Sequence, residues 1–385
     1  MSKMHNQIQR SHCTTCLAPT SKLSLSFDSR GVCSACVAYS KLASVNFAER
    51  RDEFVSILNR RKRTGSSNYD CIVPVSGGKD STYQVVQLKA LGVNPLCVAV
   101  VPDLASDIGR QNLANLKSLD VDLIEISLNR RTSRALTRAA LSRIGSALWP
   151  ETVAIFTVPA RLAAQMRIPL VVWGENPRFE DGWAAEPDSG LLTQPWTGCV
   201  QGLSLWDVAS DCGLGKDDLL QYCAPDRDDL EALGFTGLFL GYYVPWDGDG
   251  NARAAGIHGF QRYETLVEGM LSDYESLDNL LAGIDNYLVY LRFGTARATS
   301  VASAMVRRGV LTRADAFQLV RKVEGQFPWR HLNSQLEAVL AALDLSLADF
   351  ERICDLFTNR QVFQSDPMGR ILKDCNGVPL RCSPL

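Results

Sequence analysis

The sequence predicts an α/β protein: a doubly wound, mostly parallel sheet preceded by a small zinc ribbon and followed by an α-helical region. Three observations lead there. Beyond residue 70, short apolar runs alternate with amphipathic segments of helical period, as in parallel strands covered by helices. Two Cys-x2-Cys pairs open the chain, and after about Asn251 the pattern turns predominantly helical. At 385 residues the chain exceeds the size at which one core stops growing. The reading divides it into a ribbon over 1–45, an α/β domain over 46–260, and a helical region with a tail over 261–385.

Cys13, Cys16, Cys33 and Cys36 form two pairs separated by 16 residues. Such knuckles present four thiolates tetrahedrally to Zn2+, which offsets the lack of a hydrophobic core in so short a module. Four protein ligands leave no open position, so zinc here is expected to be structural; an iron–sulfur cluster, a redox pair or chance spacing are the alternatives. Phe54, Ile57 and Leu58 mark an amphipathic connector over 47–63. Strands are expected at 71–75, 95–101, 122–126, 168–173 and 237–243. Helices are expected at 82–91, 110–119 and 133–148, and later at 263–271, 296–306, 313–323 and 347–357. The stretch from Gly174 to Asp226 holds glycine, proline, three tryptophans and several acids. It is longer than an ordinary connection and is expected to be functional.

Apolar residues make up 46% and charged residues 21% of the chain, and the net charge is -2. No run is long and apolar enough to span a membrane. The polar first ten residues lack the apolar core of a secretory signal, so the expected location is cytoplasmic. No positive field advertises a nucleic-acid partner.

Ser76-Gly-Gly-Lys-Asp-Ser81 lies between an apolar run and a helix. Gly77 and Gly78 permit a tight turn with outward N–H groups, and the helix adds its positive end, so an anion is the expected guest. Ser76 and Ser81 offer hydroxyls and Lys79 a positive charge, while Asp80 can help hold Mg2+ against phosphate oxygens. The Lys79 and Asp80 side chains should point at ligand rather than into the core. The spacing fits neither a Walker A loop nor a dinucleotide fingerprint. It resembles the PP-loop of ATP pyrophosphatases, which cleave ATP between the α and β phosphates.

The resemblance extends further. Zinc ribbon, SGGKDS, Gly174-Glu-Asn176, Tyr242-Tyr-Val-Pro-Trp246 and Arg292-Phe-Gly294 follow in the order of the N-acetyl sugar amidotransferases of bacterial surface-polysaccharide biosynthesis, over about residues 13–323. This implies an ATP- and Mg2+-dependent enzyme that turns an acetamido group of a nucleotide-linked sugar into an acetamidino group. No glutaminase nucleophile is visible. The resemblance therefore also implies two partners that deliver ammonia, a separate glutaminase and a cyclase-like barrel subunit.

Glu175 and Asn176 fall just past the C-terminal end of a strand, where open α/β sheets bind ligands, and are the candidates for contacting the amide or ammonium. Lys79 and Asp80 complete the catalytic set. Asp211 could add charge there or cap a helix. Tyr242, Tyr243 and Trp246 could stack on a sugar or belong to the core. Cys71 and Cys97 read as buried strand fillers, and the four histidines form no catalytic or metal spacing. Cys199, Cys212 and Cys223 lack a paired motif. Cys375 and Cys382 either form a second metal knuckle or hang free. The rival readings are a tRNA thiolase, which shares ribbon and loop, and a non-catalytic ATP-binding sensor.

Overall fold

The computed structural model describes residues 12–22, 24–62, 68–175, 189–192, 203–375 and 377–382. Strands β1 (Cys71–Pro74), β2 (Pro95–Val101), β3 (Asp122–Ser127), β4 (Leu170–Trp173) and β5 (Thr236–Phe239) form one parallel sheet in the order β3-β2-β1-β4-β5. Its central strands are nearly continuous apolar runs because both faces are covered. Ile72, Leu96, Val98 and Val171 point to one face. There they meet Leu136 and Ala140 of α5 (Arg130–Arg143) and Val153 and Val158 of α6 (Trp149–Met166). Their neighbours Cys71, Val73, Cys97 and Val172 point to the other. On that side they pack on Phe54 and Leu58 of α2 (Phe47–Lys62) and on Val85 and Leu88 of α3 (Lys79–Ala90). Cys71 and Cys97 are thus the buried fillers expected. The short α1 (Ser34–Leu42) completes the N-terminal module, and α4 (Asp107–Asn115) follows β2.

Three elements differ from expectation. The apolar run 237–243 is strand only to Phe239; Leu240–Tyr243 then coils into one helical turn. Helix α6 was not foreseen because two prolines punctuate it. Pro150 sits in the first turn, where a missing N–H costs nothing, and Pro159 is accommodated inside the helix. The expected helix at 263–271 does not form. The chain instead loops back through Tyr263 N–H to Asp273 O (2.8 Å) and Val267 N–H to Ser272 O (3.1 Å), with Gly269 at φ +73°. Val267, Met270, Tyr274 and Leu277 give this loop its own small core. The spacing that looked helical is anchorage of a folded loop.

Beyond β4 come α7 (Leu205–Ala209), α8 (Arg227–Leu233), the turn α9 (Leu240–Tyr243) and α10 (Gly248–Ile257). The C-terminal region supplies α11 (Ala282–Phe293), α12 (Arg297–Arg307), α13 (Arg313–Val323), α14 (Leu336–Ala342) and α15 (Leu347–Phe357). The cysteine module docks on α12 and α13, far along the sequence from itself. Leu17 packs with Ala302, Ala316 and Val320, and its N–H donates to Ser303 Oγ at 3.2 Å. Arg313 donates to the carbonyls of Cys16 (3.1 Å) and Cys13 (3.3 Å). Among the described residues no helix is long and apolar enough to cross a membrane.

Candidate functional site

Strands β1 and β4 are neighbours, yet the chain leaves β1 for β2 on one side and β4 for β5 on the other. Open α/β sheets bind ligands in the crevice at such a switch point, outside the carboxyl ends of the strands. The Ser76–Ser81 loop follows β1 and Gly174-Glu175 follows β4, so the topology brings both to one crevice. Gly77 has φ +81°, and a Cβ there would lie 2.3 Å from the backbone nitrogen of Leu113 in α4, so only glycine fits. Gly78 is the N-cap of α3, whose first-turn N–H groups have no intrahelical acceptor and meet the positive end of the macrodipole. The two hydroxyls brace the loop itself. Ser81 Oγ accepts from Ser76 N–H (3.3 Å) and donates to Gly78 O (3.1 Å), while Ser76 Oγ accepts from Gly78 N–H (3.3 Å).

Lys79 borders the cleft from a largely buried position. It is only 5% exposed and its Nζ lies 2.5 Å from Asp80 Oδ2 and 2.9 Å from Glu275 Oε1. Glu275 in turn takes Arg297 Nε (2.9 Å) and Nη2 (2.6 Å) on Oε2. Burial works against the lysine charge, but the Asp80, Glu275 and Glu175 carboxylates together raise its pKa above the ordinary range. Burial likewise opposes the Glu275 charge, but Arg297 and Lys79 hold that carboxyl down to about 2. Asp80 Oδ1 accepts from Asn251 Nδ2 (2.8 Å), brought in by α10. The loop lysine therefore belongs to a buried ion network whose other half comes from the C-terminal region.

A cleft opens over the loop, with Asn112 on one side and Tyr274–Asp278 and Arg297 on the other. Burial and the nearby Glu275 charge push the Asp278 carboxyl up. The far wall is pinned in several places. Ser106 N–H donates to Asp278 O (3.1 Å), Ser106 Oγ donates to Leu277 O, and His331 Nε2 sits 3.1 Å from Ser276 O. Asn279 Nδ2 donates to Glu151 of α6, a carboxyl that burial, with Asp278 and Asp103, pushes up to about 8.

Of the residues singled out from sequence, Ser76, Gly77, Gly78, Lys79, Asp80, Ser81 and Glu175 all line this cleft. Asn176 and Cys199 lie outside the described residues. The aromatic segment divides. Tyr243 is core, 5.1 Å from the Phe54 ring, and Tyr242 lies under the Arg50 guanidinium. Trp246 reaches the site, resting on the backbones of Gly174 and Gly241, where a Cβ would come within 3.0 Å and 3.2 Å of its ring. Asp211 is an exposed partner of Arg143 (3.5 Å). Cys212 and Cys223 are half-buried, away from the cleft, while Cys375 and Cys382 are exposed and join no metal-binding group among the described residues. The sequence reading missed Glu275, Asp278, Arg297, Arg308 and Asn251. One signal was available: Arg297 opens the helix just after the Arg292-Phe-Gly294 motif.

The four N-terminal cysteines do converge, their sulfurs all within 4.8 Å of one another. Cys13–Cys36 and Cys16–Cys33 are 3.9 and 3.7 Å apart. Tetrahedral Zn–S bonds of about 2.3 Å place sulfurs about 3.8 Å apart, whereas a disulfide requires about 2.05 Å. Backbone N–H groups of Thr15, Ala18 and Cys33 point at the sulfurs, the arrangement that steadies thiolates. The donor set fits zinc.

Residues 259–374 match the family described as "LPS biosynthesis protein WbpG-like, C-terminal domain", which supports a role in polysaccharide biosynthesis. The matched segment contains the Tyr274–Asp278 wall and Arg297. A 116-residue stretch is 32% identical to an uncharacterized protein of Methanocaldococcus jannaschii. It covers 29% of this chain and 41% of that protein, less than half its length.

Proposed function

We propose that the protein is an ATP-dependent amidotransferase of surface-polysaccharide biosynthesis, converting an acetamido group on a nucleotide-linked sugar into an acetamidino group. The observation that carries this is the meeting, at one switch point, of the SGGKDS loop, Glu175 and a wall drawn from the polysaccharide-biosynthesis-like region. An amide oxygen is a poor leaving group. In the proposed reaction it attacks the α-phosphorus of ATP, the bond to pyrophosphate breaks, and an O-adenylyl imidate forms. Ammonia then adds to the imidate carbon, AMP departs with the former amide oxygen, and one proton is released.

The α3 N-terminus and Lys79 would receive the pyrophosphate charge, where preorganised donors count most. Asp80 and Asp278, both on the cleft wall, would hold Mg2+, and the ion would supply further charge neutralisation. Glu175 would face the acetamido nitrogen or the incoming ammonia. Ammonia would come from a separate glutaminase through a barrel-type partner. The test is release of AMP and pyrophosphate by purified protein with Mg2+, a panel of acetamido nucleotide sugars and high ammonium salt, with mass spectrometry of the sugar. Exchange of oxygen for NH is the expected result. Turnover that instead needs sulfide and tRNA would assign a thiolase, and ATP binding without any turnover would assign a sensor.

A further inference from the structure

The cleft has a second lobe. Lys79, Asp80, Glu175, Tyr274, Glu275 and Arg297 border both lobes. The first continues over the loop toward Asn112 and Asp278. The second continues along α12 toward Trp246, Ser300, Val301, Ala304 and Arg308. Arg297, Ser300, Val301, Ala304 and Arg308 recur at helical spacing, so one face of α12 forms this wall with an arginine at each end.

We infer that the second lobe is the acceptor subsite, with the N-acetylated sugar ring against Trp246 and the diphosphate of the nucleotide sugar toward Arg308. This rests on the amidotransferase reading. The shared border is then where the two substrates meet: phosphate groups lie over the loop on one side, and Glu175 faces the acetamido group on the other.

The chemistry of the walls supports that division. The phosphate-binding N–H groups all belong to the first lobe, whereas beyond the shared border the second offers an aromatic plane, small residues and the Arg308 guanidinium. Trp246 is held by its rest on Gly174 and Gly241 and by an edge contact to Tyr83 at 5.4 Å. A rigid aromatic face set beside charged side chains suits a sugar ring, which stacks one face and hydrogen-bonds at its edge. Arg308 is prepositioned: Nη1 donates to Asp247 Oδ1 (2.6 Å) and Nε to Ala304 O (3.3 Å). Its Nη2 has no partner among the described residues, which leaves one donor edge for a phosphate oxygen. Asp247 caps α10 through Asp249 and Gly250 N–H and thereby also places Asn251 on Asp80. The acceptor lobe and the phosphate loop thus share one support.

Calorimetry with α,β-methylene-ATP, which cannot be cut at the relevant bond, separates the lobes. The titrants are UDP and UDP-sugars carrying one or two acetamido groups, added to protein saturated with the analogue. Arg308→Gln should weaken UDP and the UDP-sugars about tenfold or more, the loss expected of a charged hydrogen bond. Ala304→Phe, which fills the lobe, should abolish sugar-nucleotide binding. Affinity for α,β-methylene-ATP should stay at the wild-type value in both. Wild-type affinity for the UDP-sugars in both variants would overturn the subsite while leaving the amidotransferase reading standing. Loss of the ATP analogue in Ala304→Phe would show a single nucleotide pocket and would also overturn it. A wild-type protein that binds none of the UDP-sugars would overturn both.

Discussion

The Ser76–Ser81 loop and the wall that faces it border the same cleft but were written into the chain very differently. Ser76–Ser81 is six consecutive residues whose spacing announces an anion site, because one turn supplies every group. The wall draws Glu275 from an irregular loop, Arg297 and Arg308 from opposite ends of α12, and Asn251 from α10. No local pattern links those residues; only tertiary packing does. The comparison also sharpens the picture of the loop. Lys79 was expected to point at ligand rather than into the core, and it borders the cleft while its ammonium is paired with Glu275. The charge that a ligand phosphate would meet is therefore tuned from the C-terminal region.

The comparison can be broken first at its centre. Lys79→Ala should reduce pyrophosphate release about 10²–10³-fold, the typical loss for a deleted transition-state donor. It should also lower the melting temperature, because it leaves the buried Glu275 and Asp80 with less compensation, and breaking a buried ion pair costs roughly 3–5 kcal/mol. A variant as stable as wild type would mean that the lysine points at ligand alone.

Glu275→Gln tests the wall and should have a smaller catalytic effect, about tenfold, since Lys79 keeps Asp80. Its stability signature is specific. The Glu275 carboxyl is lowered from 4.5 to about 2. Its contribution is fully present above about pH 4.5 and is lost as pH falls toward 2. Thermal melts from pH 6 to 2 should show that portion of the acid destabilisation missing in the variant. Identical acid limbs in the two proteins would remove Glu275 from the network.

The ribbon tests how far support for the wall extends. Arg297 lies at one end of α12, and Ala302 and Ser303 contact the ribbon further along. Chelation of zinc, or Cys13→Ser with Cys16→Ser, should lower the melting temperature and speed amide exchange in α12. Unchanged exchange there would confine zinc's role to residues 12–42.

Glu151→Gln should give the mildest effect. Its carboxyl is raised to about 8, so the native state holds a proton that the unfolded state releases from about pH 4.5 upward. Wild-type stability is therefore expected to fall between about pH 4.5 and 8. The variant should melt higher than wild type above pH 8 and equally near pH 4, because glutamine stays neutral and can still accept from Asn279. Parallel curves across that range would indicate an ionised Glu151 in the native state.

How much was legible follows from the same physics. The central strands could be read because burial on both faces demands continuous apolar runs, as at Pro95–Val101. The cysteine cluster could be read because four thiols that must meet at one point constrain their spacing. Helix α13 could be read because Arg313–Val323 follows the helical period between a Thr312 cap and its end. Helix α6 was hidden by prolines that its first turn and its packing tolerate. The segment at 263–271 mimicked a helix because Val267 and Met270 anchor a loop at near-helical spacing. That misreading concealed the wall, since Tyr274–Asp278 is where the loop delivers the chain.

The central claim is that ATP activates the acetamido oxygen itself. It is tested most directly by turning over a nucleotide sugar with 18O in the acetamido carbonyl, in the presence of ATP, Mg2+ and ammonium salt. The account predicts one 18O atom in the phosphate of AMP and none retained at the converted carbon. Conversion with AMP free of label would contradict it.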